Sequence, residues 1–113
     1  MNHETRCVKI KLKPDSIEKA REWARTINER KTEALATLRD DGVILETVFL
    51  DQTSEGDFLI YLIKAESFKK AKDAVQKSVY AIDEFHQNFK RECWEDGKRL
   101  ELLVDLDRIA EIK

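Results

Sequence analysis

The chain has 113 residues, the length of one ordinary domain, and we expect a single domain over residues 1–113. Lysine and arginine total 21 against 23 aspartate and glutamate residues, which gives a net charge of −2. A surface that binds nucleic acid or an anionic membrane needs a basic excess, so the composition argues against both partners. The sequence contains neither a signal peptide nor an apolar segment long enough to span a membrane, so we expect a cytoplasmic protein.

The two cysteines do not indicate metal or redox chemistry. Cys7 and Cys93 are far apart and form neither a CxxC motif nor a cluster with histidine. A glycine-rich phosphate loop is also absent from the sequence. We therefore expect no metal and no cofactor, and two reduced thiols within the core.

The first predicted element is a strand over residues 5–13, where apolar and polar side chains alternate. One row is apolar and the other carries two lysines, in the order Val8, Ile10, Leu12 and Cys7, Lys9, Lys11. After Pro14, Asp15 stands three residues before Glu18, the spacing of a capping box. Apolar residues at helical spacing then predict one long helix that ends at Gly42, since glycine suits the left-handed position after a helix.

The third predicted strand is the most informative segment. Residues 43–51 predict the second strand, residues 52–57 a hairpin loop and residues 57–65 the third strand. Residues 58–63 are apolar without a break, so both faces of this strand need cover. Helices can cover one face, and a second copy of the chain is the simplest cover for the other.

The C-terminal half predicts two helical segments and a last strand. Ser67 is predicted to cap a helix that runs through residue 79, and a second segment covers residues 81–95 after a bend near Tyr80. Asp96 and Gly97 predict a turn, and residues 100–107, which alternate in polarity, predict the fourth strand after it.

The resulting order, βαββαβ, predicts an α+β ferredoxin-like sandwich with an antiparallel sheet of order 4-1-3-2 and a second helix elaborated into two segments. Right-handed crossovers place the helices on one face of the sheet. Six residues are expected in the core beneath the helices: Ile10, Leu12, Leu35, Phe89, Leu102 and Val104. The hairpin register stays open, and with it whether Glu46 or Thr47 joins the helix-free face.

Candidate functional residues are predicted on or beside that helix-free face. The ligand-binding candidates are Lys9, Lys11, Tyr61 and Glu101. Charged groups on a covered face need partners, and Glu101 and Asp105 on the last strand could pair with the lysines. An unpaired lysine would favour an anionic or carbonyl-bearing ligand, whereas full pairing favours a purely structural dimer face. His86 is the candidate catalytic residue because its pKa falls in the useful range for proton transfer.

Three stretches carry a resemblance to a known family: Lys-Leu-Lys-Pro at residues 11–14, Phe-Leu-Ile-Tyr at 58–61 and Ala-Ile-Asp-Glu-Phe-His at 81–86. The chain resembles a family of small uncharacterised bacterial proteins of the dimeric α/β-barrel superfamily. Ala81 stands where that family often has proline, whereas Asp83 and His86 match its pattern. The resemblance implies a homodimer packed through the helix-free faces of two sheets, and a pocket without a defined chemistry.

The sequence contains no catalytic signature, so the function stays unknown at this level and whether the protein is an enzyme stays open. The leading interpretation is a dimeric module that binds a small molecule or has a structural role. The alternative is a cofactor-independent monooxygenase-like or other small-molecule enzyme of the dimeric α/β-barrel type, which rests on fold analogy.

Overall fold

A computed structural model describes residues 3–112. Within them the chain forms a βααββααβ order that ends in a short 3-10 helix. The elements are β1 (Glu4–Leu12), α1 (Ile17–Glu29), α2 (Lys31–Asp41), β2 (Val43–Thr53), β3 (Gly56–Ala65), α3 (Phe68–Gln76), α4 (Ala81–Cys93), β4 (Trp94–Arg99) and the 3-10 helix (Ile109–Glu111). The strands form one antiparallel sheet of order β2-β3-β1-β4. The predicted fold class and sheet order are confirmed, because this order is 4-1-3-2 read from the opposite edge.

The sheet register shows which side chains face the helices. Val8 lies opposite Tyr61, and Tyr61 lies opposite Val48, so these three side chains share the helix-covered face. That face holds the core, which consists of Ile10, Leu12, Ala20, Trp23, Leu59, Tyr61, Phe89 and Cys93. The burial predicted for Ile10, Leu12 and Phe89 is confirmed.

The first helical region differs from the prediction at both its start and its middle. Ser16, not Asp15, is the N-cap residue, and its side chain makes no capping hydrogen bond. The predicted single helix is wrong because the chain bends at Arg30, which has a φ of −102° and a ψ of 35°. The bend lets α1 pack against α4 while α2 packs against α3. The predicted end is confirmed, with Gly42 in the left-handed region at a φ of 71°.

The second helical region agrees more closely with the prediction. The Ser67 side chain accepts a hydrogen bond from the Lys70 backbone N–H at 3.3 Å, which confirms the predicted cap. The predicted bend near Tyr80 is also confirmed, although α3 ends earlier than expected, at Gln76.

The fourth strand lies earlier in the chain than predicted. It occupies Trp94–Arg99, so the prediction of a strand over residues 100–107 is wrong. The chain leaves α4 at Cys93 and enters the strand directly, so no turn forms at Gly97. Gly97 instead lies opposite Ile10 in the sheet, where a Cβ would come within 2.9 Å of the Ile10 Cδ1 atom. The glycine therefore gives room for close strand pairing rather than for a turn.

Residues 100–108, the C-terminal arm, extend beyond β4 without forming a strand. The burial predicted for Leu102 and Val104 is wrong, since they are 55% and 73% exposed, and Leu35 on α2 is also exposed. Two carboxylates of the arm, those of Asp105 and Asp107, hold the buried Lys64 ammonium, with a Lys64–Asp105 distance of 3.0 Å. The arm is thus tethered at its end while its apolar side chains face outward.

The helix-free face carries large apolar side chains. Phe49 is 56% exposed and Leu62 is 37% exposed, and the partly exposed Phe58 and Ile60 lie on the same face. The register also resolves the open question from the sequence, because Thr47 lies on this face and Glu46 lies on the helix-covered face. Among residues 3–112, none of the helices has the length and apolar character needed to cross a membrane.

Candidate functional site

A cavity of about 690 Å³ lies between the sheet and the helices, and we call it the sheet–helix cavity. A smaller space of about 220 Å³ adjoins it and shares Glu46, Asp83 and His86 with it. The walls combine apolar side chains such as Val8 and Ile63 with a few polar groups. This combination is typical of small-molecule sites.

Aromatic rings form one wall of the sheet–helix cavity. The rings of Tyr61 and Trp94 meet edge to face with centroids 5.2 Å apart. The His86 ring lies 6.2 Å from Trp94 and 5.6 Å from Trp23, and Trp23 in turn stacks on Phe89 at 4.7 Å. Such pairings restrain the rings in fixed orientations and leave their polar atoms at defined positions.

A hydrogen bond determines the protonation of His86. The Trp23 Nε1–H group donates to His86 Nδ1 over 3.1 Å. Because an indole nitrogen only donates, Nδ1 must accept, and the proton of the neutral ring is then assigned to Nε2. Burial, with a smaller contribution from Lys90, lowers the pKa of His86 to about 4, so the ring is neutral at pH 7.

Two polar atoms of the aromatic wall lack hydrogen bonds of regular geometry. The Tyr61 hydroxyl and the Trp94 Nε1–H are both buried, and neither forms such a bond within residues 3–112. Tyr61 is only 3% exposed, and burial, reinforced by Glu46, raises the pKa of its hydroxyl, while the neighbouring Trp94 N–H opposes that shift. Buried polar groups are nearly always satisfied in folded proteins, so two such atoms beside a cavity indicate a missing partner.

Carboxylates also line the cavity. Burial raises the pKa of Asp41 to about 6, with added repulsion from Asp83 and Asp40. Glu46 is exposed and opens onto the cavity, where partial desolvation raises its pKa and Asp41 and Asp83 raise it further. The Ser78 hydroxyl donates to the Asp83 carboxylate. The carboxylates repel one another, and three cations line the same cavity: Arg6, Lys72 and Lys90.

Lys90 lines the cavity and is the cation that partly offsets the rise in the pKa of Glu46. Its Nζ lies 4.6 Å from the centroid of the Trp94 ring. Burial lowers the pKa of Lys90, and the neighbouring Glu46 opposes that shift. Lys90 therefore has both an aromatic and a carboxylate neighbour within the protein.

The structure brings together only two of the residues proposed from the sequence. Tyr61 and His86 meet in the sheet–helix cavity with ring centroids 6.4 Å apart. The prediction that Tyr61 lies on the helix-free face is wrong, because Tyr61 pairs with Val8 and shares its face. Lys9 and Lys11 do lie on the helix-free face, and Lys9 meets Asp51 at 3.5 Å.

The expected pairing of these lysines with the last strand is also wrong. Glu101 is exposed on the C-terminal arm, and Asp105 pairs with Lys64 instead. Sequence reasoning assigned no site role to Asp41, Asp83 or Trp94. A usable signal existed only for Glu46, a carboxylate in the interior of an apolar strand, and its face could not be assigned. No group of three or more metal-ligating side chains occurs in the described part of the chain.

Comparisons with known proteins identify the fold of the chain and its family. The fold is similar to that of a solved structure from Nitrosomonas europaea described as a "Putative antibiotic biosynthesis monooxygenase". The two structures superpose with a TM-score of 0.55 and 17% sequence identity, and the match covers 87% of this chain and 86% of the other. At this identity the likeness shows the ferredoxin-like fold alone. Residues 3–111 match the model of a family of unknown function, DUF6176, and the chain belongs to that family. A comparison with curated proteins gives no match.

Proposed function

We propose that the protein is a dimeric module that binds a small organic molecule in the sheet–helix cavity. The observation that carries the proposal is the cavity of about 690 Å³ whose wall holds two buried polar atoms, Tyr61 Oη and Trp94 Nε1, without hydrogen bonds of regular geometry in the described residues. A ligand that reaches them would supply the hydrogen bonds that the fold leaves unmade. The near balance of charge supports a small organic ligand rather than nucleic acid or an anionic membrane.

Filling the cavity should abolish ligand binding. Val75 lines the cavity from α3, whereas Val79, four residues later, is 94% exposed. We expect compounds from a panel of small metabolites to raise the melting temperature of the native protein, because a ligand at 100 times its Kd adds about 2.7 kcal/mol. Val75→Phe should remove this stabilisation, and the matched Val79→Phe should keep it.

The outcome separates three functions. If Val75→Phe and Val79→Phe respond alike to every compound, the cavity is not the site. If no compound stabilises the native protein, a structural role is favoured. If a bound compound is converted, with a new product seen by mass spectrometry, the enzymatic alternative is favoured instead.

Dimer formation is supported by two uncovered apolar surfaces. The helix-free face exposes Phe49 and Leu62, and the C-terminal arm exposes Leu103 and Leu106 at 82% and 90%. Contiguous apolar surface of this kind marks an interaction site, and a sheet with apolar side chains on both faces needs cover on both. In this proposal Lys9 and Lys11 belong to the dimer face and not to the ligand site.

A charge on the helix-free face should dissociate the dimer. Phe49→Glu would place an unpaired carboxylate within the proposed interface, which is costly to bury. We expect the native protein to sediment as a dimer at micromolar concentration and Phe49→Glu to sediment as a monomer. Val79→Glu is the control, and it should leave the dimer intact. A native protein that sediments as a monomer would contradict the proposed dimer.

A further inference from the structure

The hydrogen-bonding groups of the aromatic wall are donors in need of an acceptor. His86 Nε2 carries its proton because Trp23 occupies Nδ1, and this N–H has no acceptor among residues 3–112. His86 is only partly buried and lines both the main cavity and the adjoining space, so it is within reach of a ligand. The Trp94 ring, whose N–H can only donate, and the Tyr61 ring with its hydroxyl lie 6.2 and 6.4 Å from the His86 ring. The missing partner is therefore an acceptor, such as an oxygen atom of a ligand.

The charges of the cavity indicate whether that oxygen is ionised. Three carboxylates (Asp41, Glu46, Asp83) and three cations (Arg6, Lys72, Lys90) line the same space, so the walls offer no net charge that would attract an ion. The nearby cations are already engaged. Lys90 lies over the Trp94 ring, and the Arg6 guanidinium lies 4.1 Å from the centroid of the Phe68 ring.

The remaining lining lysine, Lys72, is exposed on α3. A lysine at this position lies at the rim and leaves its ammonium solvated. An ammonium group would suit the carboxylates, but it offers no acceptor to His86 and Trp94. The ligand that satisfies the donors without meeting repulsion is uncharged.

We propose that the sheet–helix cavity binds an uncharged organic molecule whose carbonyl oxygen accepts a hydrogen bond from His86 Nε2–H, next to the Tyr61 and Trp94 donors. This inference rests on the proposed function and adds the chemical class of the ligand. His86 acts here as a fixed donor, and the Trp23 hydrogen bond holds it in the tautomer that can donate.

Four naphthalene probes that differ in one group test the inference. They are 2-acetylnaphthalene, which has a carbonyl, 2-ethylnaphthalene, which has no acceptor, 2-naphthoate, which is anionic, and 1-(2-naphthyl)ethylamine, which is cationic at pH 7. We expect the ketone to bind roughly tenfold more tightly than the hydrocarbon, since one neutral hydrogen bond separates them. The anion should bind most weakly. Affinities are measured by calorimetry.

The two tryptophans of the chain give two indole N–H signals in a nitrogen-edited NMR spectrum, so each can be followed separately. The ketone should shift the Trp94 signal more than the hydrocarbon does. His86→Phe keeps a ring but removes the donor, and it should bring the ketone and the hydrocarbon to equal affinity. His86→Gln restores a side-chain N–H and should recover part of the preference. Tyr61→Phe is a second variant, which keeps the ring and removes the hydroxyl.

The outcomes distinguish the two proposals. Equal affinity of the ketone and the hydrocarbon in the native protein would overturn the inference and leave the binding function standing. Tightest binding of 2-naphthoate or of the amine would overturn it as well. If none of the four probes binds, or if the Trp94 signal does not move with any of them, the inference is overturned, whereas the proposed function fails only if no compound of the metabolite panel stabilises the native protein. The ratio of the affinity for the ketone to the affinity for the hydrocarbon could also be the same in the native protein, His86→Phe and Tyr61→Phe. Other groups would then bind the carbonyl oxygen, and the inference would be overturned.

Discussion

Phe89→Ala is expected to lower the free energy of unfolding by about 3–5 kcal/mol, the usual cost of truncating a buried aromatic side chain. Phe89 is 6% exposed and stacks on Trp23 at a centroid distance of 4.7 Å and an interplanar angle of 9°. Its removal loses the transfer free energy of the ring and leaves a space that the sheet and α1 cannot close. Urea denaturation followed by circular dichroism measures the change.

The matched control for this truncation is Val79→Ala. Val79 is 94% exposed, and substitutions at such positions usually change stability by less than about 0.5 kcal/mol. A loss below about 1 kcal/mol for Phe89→Ala would mean that the core is not centred on the contact between α1 and α4.

Asp41→Asn is expected to stabilise the protein at pH 7. Asp41 is the last residue of α2, where the helix dipole disfavours a negative charge, and its side chain lies beside Asp83. Burial and this repulsion raise its pKa from 3.8 to about 6, so the folded state is penalised once the carboxyl ionises. We expect a gain of about 1–2 kcal/mol, less than the full shift implies because solvent in the cavity screens the charge.

The pH dependence gives the sign of this effect. An acid whose pKa is higher in the folded state binds more protons there, so its stabilising contribution is present below pH 3.8 and is lost as the pH rises through about 6. The advantage of Asp41→Asn should therefore be full at pH 7 and absent below about pH 4. Asp73→Asn, at an exposed position on α3, is the control and should show no such trend.

Protonation of His86 changes the stability of the protein in the opposite direction over a similar pH range. Its pKa is about 4 in the folded state against an ordinary value of 6.5, so the unfolded state binds more protons between these values. The contribution of His86 is thus lost as the pH falls from about 6.5 to 4. The free energy of unfolding of the native protein varies with pH through both groups. The difference in this free energy between Asp41→Asn and the native protein therefore isolates the contribution of Asp41. If that difference is the same at pH 4 and pH 7, the Asp41 carboxyl is not perturbed.

The sequence was sufficient for those parts of the fold that depend on local periodicity. Alternation along residues 5–13 identified β1, the β-branched and aromatic residues of 43–51 identified β2, and the apolar run at residues 58–63 identified β3. Gly42 marked the end of α2 because its left-handed conformation is a local property of glycine. Tyr61 and His86 were also selected from the sequence, although for a different surface.

The face of Tyr61 could not be obtained from the sequence. In a strand that is apolar on both sides, alternation does not show which row faces the helices. Only the pairing with Val8 decides it, and that pairing depends on residues far apart in the chain. The same limit applies to Glu46, whose neighbour Thr47 faces the other way.

The order of the elements, the helix-covered side of β1 and the apolar character of β3 follow from the amino-acid sequence, since each depends on the spacing of neighbouring side chains. The positions of β4 and of the cavity depend instead on contacts between residues far apart in the chain. The alternating residues 100–107 have the pattern of a strand, but the shorter segment Trp94–Arg99 occupies the place beside β1 because α4 delivers the chain directly to that edge. The cavity joins Glu46, Asp41 and His86 from three elements, and no spacing along the chain encodes such a meeting.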